Sequence, residues 1–373
     1  MNKVCILGLG YIGLPTAALF ATHGLQVCGV DINPQIIETF NNGGVHIQEH
    51  GLPELVRSAQ QSGSLYVCSQ PEPSDTFIIT VPTPFYEDKR ADMRAVTAAS
   101  EAIVPHLRQG NLVMLESTSP PRTTSGLVQP ILERSGLRAG EDFYLAYSPE
   151  RVLPGQILKE LVENARVIGG INPASAEAGR DLYKTFVQGE IFLTDATTAE
   201  MVKLMENTYR DVNIAIANEF SRLAERFGVD VWEAIRLSNR HPRVRILSPG
   251  PGVGGHCISV DPWFLVEAAP DLTALVRAAR QVNDAQPQFV VDLIGRASGG
   301  LAGKRVAVLG LSYKPDVDDL RESPAVETAR LLAQAGAQVR AYEPFKPAAT
   351  FPEFQTTATL EEALENAQAV ALL

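Results

Sequence analysis

One short segment near the N-terminus constrains the fold more than any other. An apolar stretch from Lys3 to Leu7 is followed by a glycine-rich turn, Gly8-Leu9-Gly10-Tyr11-Ile12-Gly13, and then by a helical pattern from Leu14 to His23. A second apolar stretch runs from Gln26 to Asp31, so the order is strand, turn, helix and strand. This βαβ order requires two parallel strands covered by a helix, and it predicts an α/β protein.

The glycine turn also predicts a ligand. Gly8 permits the tight turn, Gly10 lets a pyrophosphate approach the backbone at a helix N-terminus, and Gly13 permits close helix packing. Asp31 lies 18 residues after Gly13, where a carboxylate accepts from ribose hydroxyls and favours NAD over NADP. The alternative is the same turn without a cofactor. The predicted NAD-binding residues of this segment are Gly8, Gly10, Tyr11, Ile12, Gly13 and Asp31.

The same alternation extends along the first half of the chain. Apolar runs at Thr76 to Val81 and Leu112 to Leu115, separated by helical stretches, predict further strands of a parallel sheet. From Thr198 to Phe227, apolar residues recur at helical spacing. A helix of that length spans about 45 Å. Its broad apolar stripe predicts packing against a second copy of the chain, and therefore a homodimer.

A second nucleotide-type α/β domain is predicted near the C-terminus. A strand from Arg305 to Gly310 precedes a helix near Ala325 to Ala335 and a strand from Gln338 to Tyr342. The predicted fold is therefore α/β, with two Rossmann-like doubly wound domains joined by a long central helix. The chain stops within the apolar run Ala369 to Leu373, so we expect the last domain to be truncated and the native chain to be longer. The expected domains are 1–195 (NAD-binding), 196–297 (central helical linker and dimerisation domain) and 298–373 (second nucleotide-type α/β domain).

Composition excludes several classes of function. Of the 373 residues, 45% are hydrophobic and 20% are charged, which is ordinary for a globular protein, and the formal net charge is −11. Such an acidic balance argues against a polyanion-binding surface, so no nucleic acid partner is expected. No apolar run reaches the length of a membrane span, and the N-terminus lacks the flanks of a signal peptide. We therefore expect a cytoplasmic protein with no membrane partner.

The four cysteines show neither CxxC pairs nor histidines at zinc spacing, so no metal site is predicted. Cys5, Cys28 and Cys68 lie inside apolar segments, where cysteine is usually a small strand residue. Cys257 lies instead in the loop Gly250-Pro-Gly-Val-Gly-Gly-His-Cys-Ile-Ser-Val-Asp-Pro262.

The glycines around Cys257 indicate a site of close contact. Glycines let the backbone approach a ligand and supply N–H groups for an oxyanion, and a thiolate attacks carbonyl carbon to form a covalent intermediate. The alternative is a buried cysteine beside a tight turn. His256 precedes Cys257, but adjacent loop residues usually point apart, so a Cys–His dyad is not favoured.

Three polar residues could serve this cysteine. Lys203 and Asn207 lie four apart on the predicted long helix and project from one face, so they could converge on a single oxygen. Asp261 follows Cys257 by four residues. A cation, an amide and a carboxylate together could hold a hydroxyl or a water and move its proton. Lys203 and Asn207 alone are also compatible with a solvated helix face.

Other candidate segments are loops. Glu116 to Pro120 and Tyr147 to Arg151 each follow a predicted strand, where active-site loops collect in open α/β sheets. His241 to Arg245 is a basic cluster suited to carboxylate or diphosphate oxygens, or a solvated loop. The segment from Tyr313 to Pro324 follows the first strand of the second domain and could contact phosphates.

With these motifs in order, the chain resembles the UDP-glucose/GDP-mannose dehydrogenase family along its whole length. The matching motifs are GLGYIG, VDIN, VPTP, ESTSP, SPER, EMVKLMEN, GPGVGGHCISVDP and YKPDVDDLRESP. The amino-acid sequence of residues 239–264 resembles that of the branch of the family that oxidises UDP-N-acetyl-D-mannosamine at C6.

The resemblance implies an NAD-dependent, four-electron oxidation of a UDP-sugar C6 alcohol to the uronic acid, a product used in surface polysaccharide. Cys257 would capture the intermediate aldehyde, and a thioester would then be hydrolysed. Three alternatives stay open: a 6-dehydrogenase of UDP-N-acetylglucosamine or UDP-N-acetylgalactosamine, a two-electron hydroxyacid dehydrogenase, and a nucleotide-sugar sensor without turnover.

The resemblance also implies roles for individual residues. Lys203 would stabilise developing oxyanions beside Asn207, Asp261 would orient a water with Thr118, and Glu150 would assist proton transfer during hydrolysis. The implied catalytic residues are Cys257, Lys203, Asn207, Asp261, Thr118 and Glu150.

Binding residues are implied in the same way. Thr83, Thr118 and Arg321 match cofactor contacts, and residues 241–245 match a segment that reaches the substrate of the neighbouring subunit. His241 stands where the family usually has an arginine, so which basic residue reaches across is left open. The implied substrate-binding residues are Glu150, Arg151, Lys203, Asn207, His241, Arg243, Gly254 and Lys314.

Overall fold

The computed structural model describes residues 2–315 and 317–373. It divides the chain into two units, Met1–Met205 and Glu206–Leu373. Asp316, part of the predicted phosphate-contact segment, lies outside the described residues. The predicted α/β fold, with a Rossmann-type first domain and a long central helix, is confirmed. The three-domain division at residues 195 and 297 stays a prediction.

The first unit is built on an eight-stranded sheet with strand order β3-β2-β1-β4-β5-β6-β7-β8. Its strands are β1 (Lys3–Leu7), β2 (Gln26–Val30), β3 (Leu65–Cys68), β4 (Thr76–Ile79), β5 (Leu112–Leu115), β6 (Tyr144–Tyr147), β7 (Arg166–Gly170) and β8 (Ile191–Asp195). Its helices are α1 (Gly13–Thr22), α2 (Pro34–Asn41), α3 (Leu52–Gln61), α4 (Arg94–Ile103), α5 (Gln129–Leu132), α6 (Ile157–Glu163) and α7 (Pro173–Tyr183). Short 3₁₀ turns occupy Val104–His106 and Glu133–Ser135, and a π-helical turn occupies Thr124–Val128.

Alternating residues of β1 explain why the sheet is buried on both faces. Val4 and Ile6 belong to one apolar cluster, whereas Cys5 and Leu7 belong to a second. Because successive side chains of a strand point to opposite faces, the two clusters lie on opposite sides of the sheet. Helices on both faces shield such a sheet from water, which accounts for strands that are apolar throughout.

β7 departs from the predicted all-parallel sheet. It pairs antiparallel with β6, with Tyr147 opposite Gly169 and Ala146 opposite Gly170, while β8 pairs parallel with β7. The direction of a strand depends on how its connection crosses the sheet, and a run of four or five apolar residues carries no signal for it. The first residue of β7, Arg166, therefore lies toward the carboxyl end of β6.

The long helix α8 (Ala196–Phe227) follows β8 directly and has 32 residues, against the 30 predicted from Thr198. The remaining helices are α9 (Val231–Ser238), α10 (Asp261–Ala268), α11 (Ala274–Asp284), α12 (Gln286–Ser298), α13 (Pro324–Gln334) and α14 (Leu360–Leu364). The strands of the second unit are β9 (Arg305–Leu309), β10 (Gln338–Tyr342), β11 (Gln355–Thr356) and β12 (Ala369–Leu372), which form a parallel sheet in the order β11-β10-β9-β12. Among the described helices, none combines the length and the apolarity that crossing a membrane requires.

A buried polar network fastens α11 to α8 within the second unit. Arg280 Nη1 donates to Asp211 Oδ1 at 2.6 Å, and Asn283 Nδ2 donates to the same oxygen at 2.7 Å. Asn218 Nδ2 donates to Asn283 Oδ1 at 2.9 Å, and the backbone N–H of Gly250 donates to Asn218 Oδ1 at 2.9 Å. The network therefore anchors the start of the Cys257 loop to a helix pair.

Candidate active site

In the glycine turn between β1 and α1, Gly13 is tightly packed against the protein, whereas the space beside Gly10 is empty. Gly8 has φ +97°, in the left-handed region that favours glycine. A Cβ atom on Gly13 would lie 1.8 Å from the carbonyl oxygen of Gly8, whereas a Cβ atom on Gly10 would meet nothing within 4 Å. The open backbone at Gly10, at the start of a helix, fits a diphosphate group. Tyr11 and Ile12, next in the turn, are half-buried.

Asp31 is held beside this turn by two backbone contacts. Its Oδ2 accepts from the N–H of Leu9 at 2.9 Å, and its Oδ1 accepts from the N–H of Asn33 at 2.9 Å. These bonds orient the carboxylate at the end of β2, and the side chain remains half-buried. The turn and Asp31 together fit a dinucleotide such as NAD.

The loops after β4 and β5 meet at the same edge of the sheet. Thr83 Oγ1 donates to the carbonyl oxygen of Thr118 at 2.6 Å, and Ser117 Oγ donates to that of Val81 at 2.6 Å. The structure therefore brings together the two predicted cofactor-contact threonines, because parallel strands end at one edge.

Glu150, in the loop after β6, is gripped by a charged residue that sequence reasoning missed. Glu150 Oε2 accepts from Arg166 Nη2 at 2.8 Å, and its Oε1 accepts from the N–H of Arg151 at 2.7 Å. Arg166 Nη1 also contacts Glu116 Oε1 at 3.3 Å. The sequence feature that could have identified Arg166 is its position as the first residue of an otherwise uncharged strand, Arg-Val-Ile-Gly-Gly.

Glu116 itself is a buried carboxyl with an unusual proton affinity. Burial raises the pKa of Glu116 to about 7, although the charge of Arg166 opposes this shift. The hydroxyl of Tyr183 donates to Glu116 Oε1. From the sequence, Glu116 was predicted only as part of a candidate loop segment, Glu116 to Pro120.

In the second unit, Cys257 lies four residues before Asp261, the first residue of α10. The N–H groups of Val260 and Asp261 donate to its carbonyl oxygen at 3.0 and 2.8 Å. Asp261 is buried at the first position of the helix, and Asn207 Nδ2 donates to its Oδ2. The structure thus brings together two predicted residues that are 54 positions apart in the chain. Lys203 lies one turn before Asn207 on α8 and is largely buried, so the alternative of a solvated face does not hold for either residue.

The glycines before Cys257 make room for another part of the chain. A Cβ atom on Gly254 would lie 2.7 Å from Tyr313 Cβ and 2.7 Å from the carbonyl oxygen of Glu322. Gly255 has φ +82°, and a Cβ there would lie 2.9 Å from the ring of Tyr313. We expected these glycines to serve the approach of a ligand. At these two positions the loop packs against Tyr313, Glu322 and Pro324, and the role of Gly254 in substrate binding stays a prediction.

His256 joins that segment to Cys257. Its Nδ1 lies 3.7 Å from Asp319 Oδ2 and 3.1 Å from Arg321 Nη2, while Arg321 also donates to Asp319 at 2.7 and 2.9 Å. Burial lowers the pKa of His256, but hydrogen bonds with Asp319 and Cys257 outweigh it and raise the pKa to about 9. The expectation that a Cys–His dyad is not favoured stays a prediction. Arg321, a predicted cofactor contact, lies in the same cluster.

Three further predicted substrate residues, His241, Arg243 and Lys314, lie in the second unit. His241 and Arg243 are exposed. Their loop is closed at its base by Asn239, whose side chain donates to the carbonyl oxygen of Ile246 at 2.9 Å and accepts from its N–H at 2.7 Å. Lys314 is half-buried.

Away from these loops, Cys28 and Cys68 are in contact, although their spacing in the sequence gives no sign of it. Their sulfur atoms lie 2.7 Å apart, and a carboxylate oxygen of Glu72 lies within 4.8 Å of both. Glu72 is already engaged by Lys3 at 2.9 Å and by the Tyr66 hydroxyl at 2.8 Å. The prediction that the protein holds no metal stays a prediction.

Comparison with protein families matches nearly the whole chain. The NAD binding domain of the UDP-glucose/GDP-mannose dehydrogenase family matches residues 2–187, its central domain matches 197–285, and its UDP binding domain matches 307–373.

Individual relatives are similar over comparable lengths. A UDP-N-acetyl-D-mannosamine dehydrogenase of Campylobacter jejuni is 51% identical over 352 residues, which are 92% of this chain and 86% of the relative. An NDP-N-acetyl-D-galactosaminuronic acid dehydrogenase of Ralstonia solanacearum is 51% identical over 340 residues, 89% of this chain and 80% of the relative.

A solved structure shows the same fold. The UDP-N-acetyl-mannosamine dehydrogenase of S. aureus has a TM-score of 0.93 and 47% identity, covering 100% of this chain and 88% of its own. The chain thus belongs to the UDP-glucose/GDP-mannose dehydrogenase family and is an NAD-dependent UDP-sugar dehydrogenase, as the motifs predicted.

Proposed function

We propose that the enzyme oxidises the C6 alcohol of UDP-N-acetyl-D-mannosamine to the carboxylate through a thioester on Cys257. The observation that carries the proposal is the environment of the Cys257 loop. Asp261, at the end of this loop, is buried and accepts a hydrogen bond from the buried side chain of Asn207. The names of the relatives from C. jejuni and S. aureus support the substrate.

NAD, when bound, accepts one hydride in each of the two oxidations. The first oxidation converts the alcohol to an aldehyde, and the thiolate of Cys257 then adds to that carbonyl carbon to give a thiohemiacetal. Loss of a second hydride and of the hydroxyl proton leaves a thioester. Water then attacks the thioester carbon, the C–S bond breaks, and the carboxylate and free thiol are released.

Each of the remaining catalytic residues has its own role in these proposed reaction steps. The ammonium group of Lys203 stabilises oxyanions, since a cation in a buried position interacts strongly with developing negative charge. Asp261, fixed by Asn207, orients the attacking water together with Thr118. Glu150 accepts a proton from that water.

The first test is the number of NADH formed per sugar consumed, for the wild type and for Cys257→Ala. We expect two NADH per sugar for the wild type and no carboxylate product for the variant. Cys68→Ala is the matched control, because it removes a thiol outside the proposed site and should retain two NADH per sugar. One NADH per sugar that is unaffected by the loss of Cys257 would contradict the thioester route.

A second candidate substrate is another UDP-N-acetylhexosamine. The R. solanacearum relative, named for a galactosaminuronic acid, is as similar as the mannosamine enzyme of C. jejuni, at 51% identity each. Values of kcat/KM for the manno, gluco and galacto compounds distinguish them. A clear preference for the gluco or galacto compound would overturn our choice.

We further propose that the enzyme is a cytoplasmic homodimer that pairs along α8. The apolar side chains of this helix include several that lie exposed on one face at helical spacing: Met205, Tyr209, Ile216, Phe220, Leu223 and Phe227. A contiguous apolar face of this kind usually marks an interface. Light scattering at micromolar concentration should give twice the mass of the chain, and the double variant Phe220→Glu/Leu223→Glu should shift the mass toward the monomer. A monomeric wild type would refute the proposal.

A further inference from the structure

The reversed direction of β7 places a basic residue opposite Glu150. In the antiparallel pairing, Tyr147 at the end of β6 faces Gly169. Because the two chain segments run in opposite directions, residues that follow Tyr147 come near residues that precede Gly169. Three steps beyond Tyr147 is Glu150, and three steps before Gly169 is Arg166. The 2.8 Å contact between their side chains is the result.

The side chain of Arg166 is held in place by burial, by an aromatic ring and by hydrogen bonds. Its side chain is only 5% exposed, and its guanidinium group lies 4.2 Å from the centre of the Tyr183 ring. Arg166 Nη1 donates to Ser148 Oγ at 3.1 Å and to Glu116 Oε1 at 3.3 Å, which leaves Nη2 aimed at Glu150. Since the fork of a guanidinium group is planar, fixing Nη1 and the stacked face fixes the direction of Nη2 as well.

We propose that Arg166 is a positioning residue, which holds the carboxylate of Glu150 in place for hydrolysis of the Cys257 thioester. This inference rests on the proposed function, because the thioester step is what Glu150 serves. Glu116 and Tyr183 contact Arg166 and hold it in place, and in this proposal neither of them touches the substrate.

The charge balance of the cluster supports the assignment. The charged and titratable groups facing Arg166 are Glu116 from the end of β5, Glu150 from the loop after β6 and Tyr183 from α7. One cation cannot neutralise two carboxylates. Burial raises the pKa of Glu116 and so favours its neutral form, which leaves more of the charge of Arg166 for Glu150.

The test separates hydrolysis from oxidation. In Arg166→Gln, the two hydride transfers should proceed while release of the acid slows by about 10²-fold, since loss of orientation of a catalytic group costs about that factor. Rapid mixing should then show a burst of two NADH per active site followed by a slow phase. Intact-mass spectrometry should show the sugar nucleotide attached to Cys257. Arg134→Gln is the matched control, because Arg134 pairs with Glu101 on the surface of the same unit.

Two further variants keep the test decisive. Arg166→Gln/Glu116→Gln removes one positive and one negative charge together, which protects folding where Arg166→Gln alone leaves two buried carboxylates unpaired, and it should accumulate the same adduct. In a Glu150→Gln background the additional change Arg166→Gln should have less than about a threefold effect, because residues that act through one another are not additive.

The outcomes distinguish this inference from the proposed function. If the wild type forms two NADH per sugar but the folded Arg166 variants turn over without a covalent adduct, Arg166 does not position Glu150. A uniform loss of the hydride transfers and hydrolysis in both variants also overturns the inference, since it indicates a purely structural role. If the wild type itself forms only one NADH per sugar, the proposed function fails first.

Discussion

A Cβ atom on Gly13 would lie 1.8 Å from the carbonyl oxygen of Gly8, closer than a non-bonded carbon and oxygen can approach. Helix α1 therefore packs against the turn that precedes it, and this close approach depends on the missing side chain.

Alanine substitutions should separate the packing role of this turn from its binding role. Gly13→Ala should destabilise the protein by about 1–3 kcal/mol, the usual range for overpacking. At Gly10 a Cβ meets nothing within 4 Å and φ is not positive. Gly10→Ala should therefore keep the stability of the wild type but weaken NAD binding by at least about tenfold, because the methyl group projects where a diphosphate approaches the backbone. Urea unfolding and NAD titration calorimetry measure the two effects. Unchanged NAD affinity in Gly10→Ala would refute this placement of the diphosphate.

The buried pair of Asp211 and Arg280 should contribute far more to stability than a surface pair. Arg280→Leu leaves the fully buried carboxylate of Asp211 without its cation, and breaking a buried pair in this way costs about 3–5 kcal/mol. The matched control is Arg296→Leu, which breaks the exposed pair with Glu225 and should cost under about 1 kcal/mol. Equal unfolding free energies for the two variants would show that the network does not anchor the helix pair.

Protonation of His256 should make stability depend on pH. Its pKa in the folded protein is about 9, against 6.5 for an ordinary histidine, because hydrogen bonds with Asp319 and Cys257 outweigh its burial. The folded state therefore binds the proton more tightly, and the resulting stabilisation is fully present below pH 6.5 and is lost as pH rises through 9. The difference in unfolding free energy between the wild type and His256→Gln should be larger at pH 6 than at pH 9.5. Asp319→Asn should reduce that difference, and a difference independent of pH would exclude a charged His256.

The cysteines should differ in their reaction with iodoacetamide. Cys5 and Cys28 are fully buried, and hydrogen bonding with Cys5 raises the pKa of Cys28 to about 12. Hydrogen bonding with Cys28 likewise raises the pKa of Cys68, so its reactive thiolate is scarce. Cys257 is half-buried and should be modified first at pH 8. Peptide mapping by mass spectrometry identifies the labelled residue, and faster labelling of Cys68 than of Cys257 would contradict this order.

Periodicity and spacing were sufficient for the parts of the protein whose geometry is local. The turn from Gly8 to Gly13 and the long helix α8 follow from neighbours in the sequence, and the structure places both within two residues of the prediction. Asn207 and Asp261 were candidates because each lies four residues from Lys203 or Cys257, but the sequence did not show that they meet, since they are 54 positions apart.

Other features depend on tertiary packing. The direction of β7 and the 2.7 Å contact of Cys28 with Cys68 both depend on which strands become neighbours. The tight fit of Gly254 depends on Tyr313, which is remote in sequence. No pattern within a window of adjacent residues encodes these relationships.

The reversal of β7 changes which residues of a mixed sheet need inspection. Searches for active-site side chains in open α/β proteins concentrate on the positions just after each strand, since parallel strands deliver their last residues to the ligand-binding edge. A reversed strand delivers its first residue there instead, as Arg166 shows by meeting Glu150. In a sheet of this type, the first residue of an antiparallel strand therefore lies at the same edge as the loop residues that follow the parallel strands. A mutational scan restricted to loop residues will overlook it.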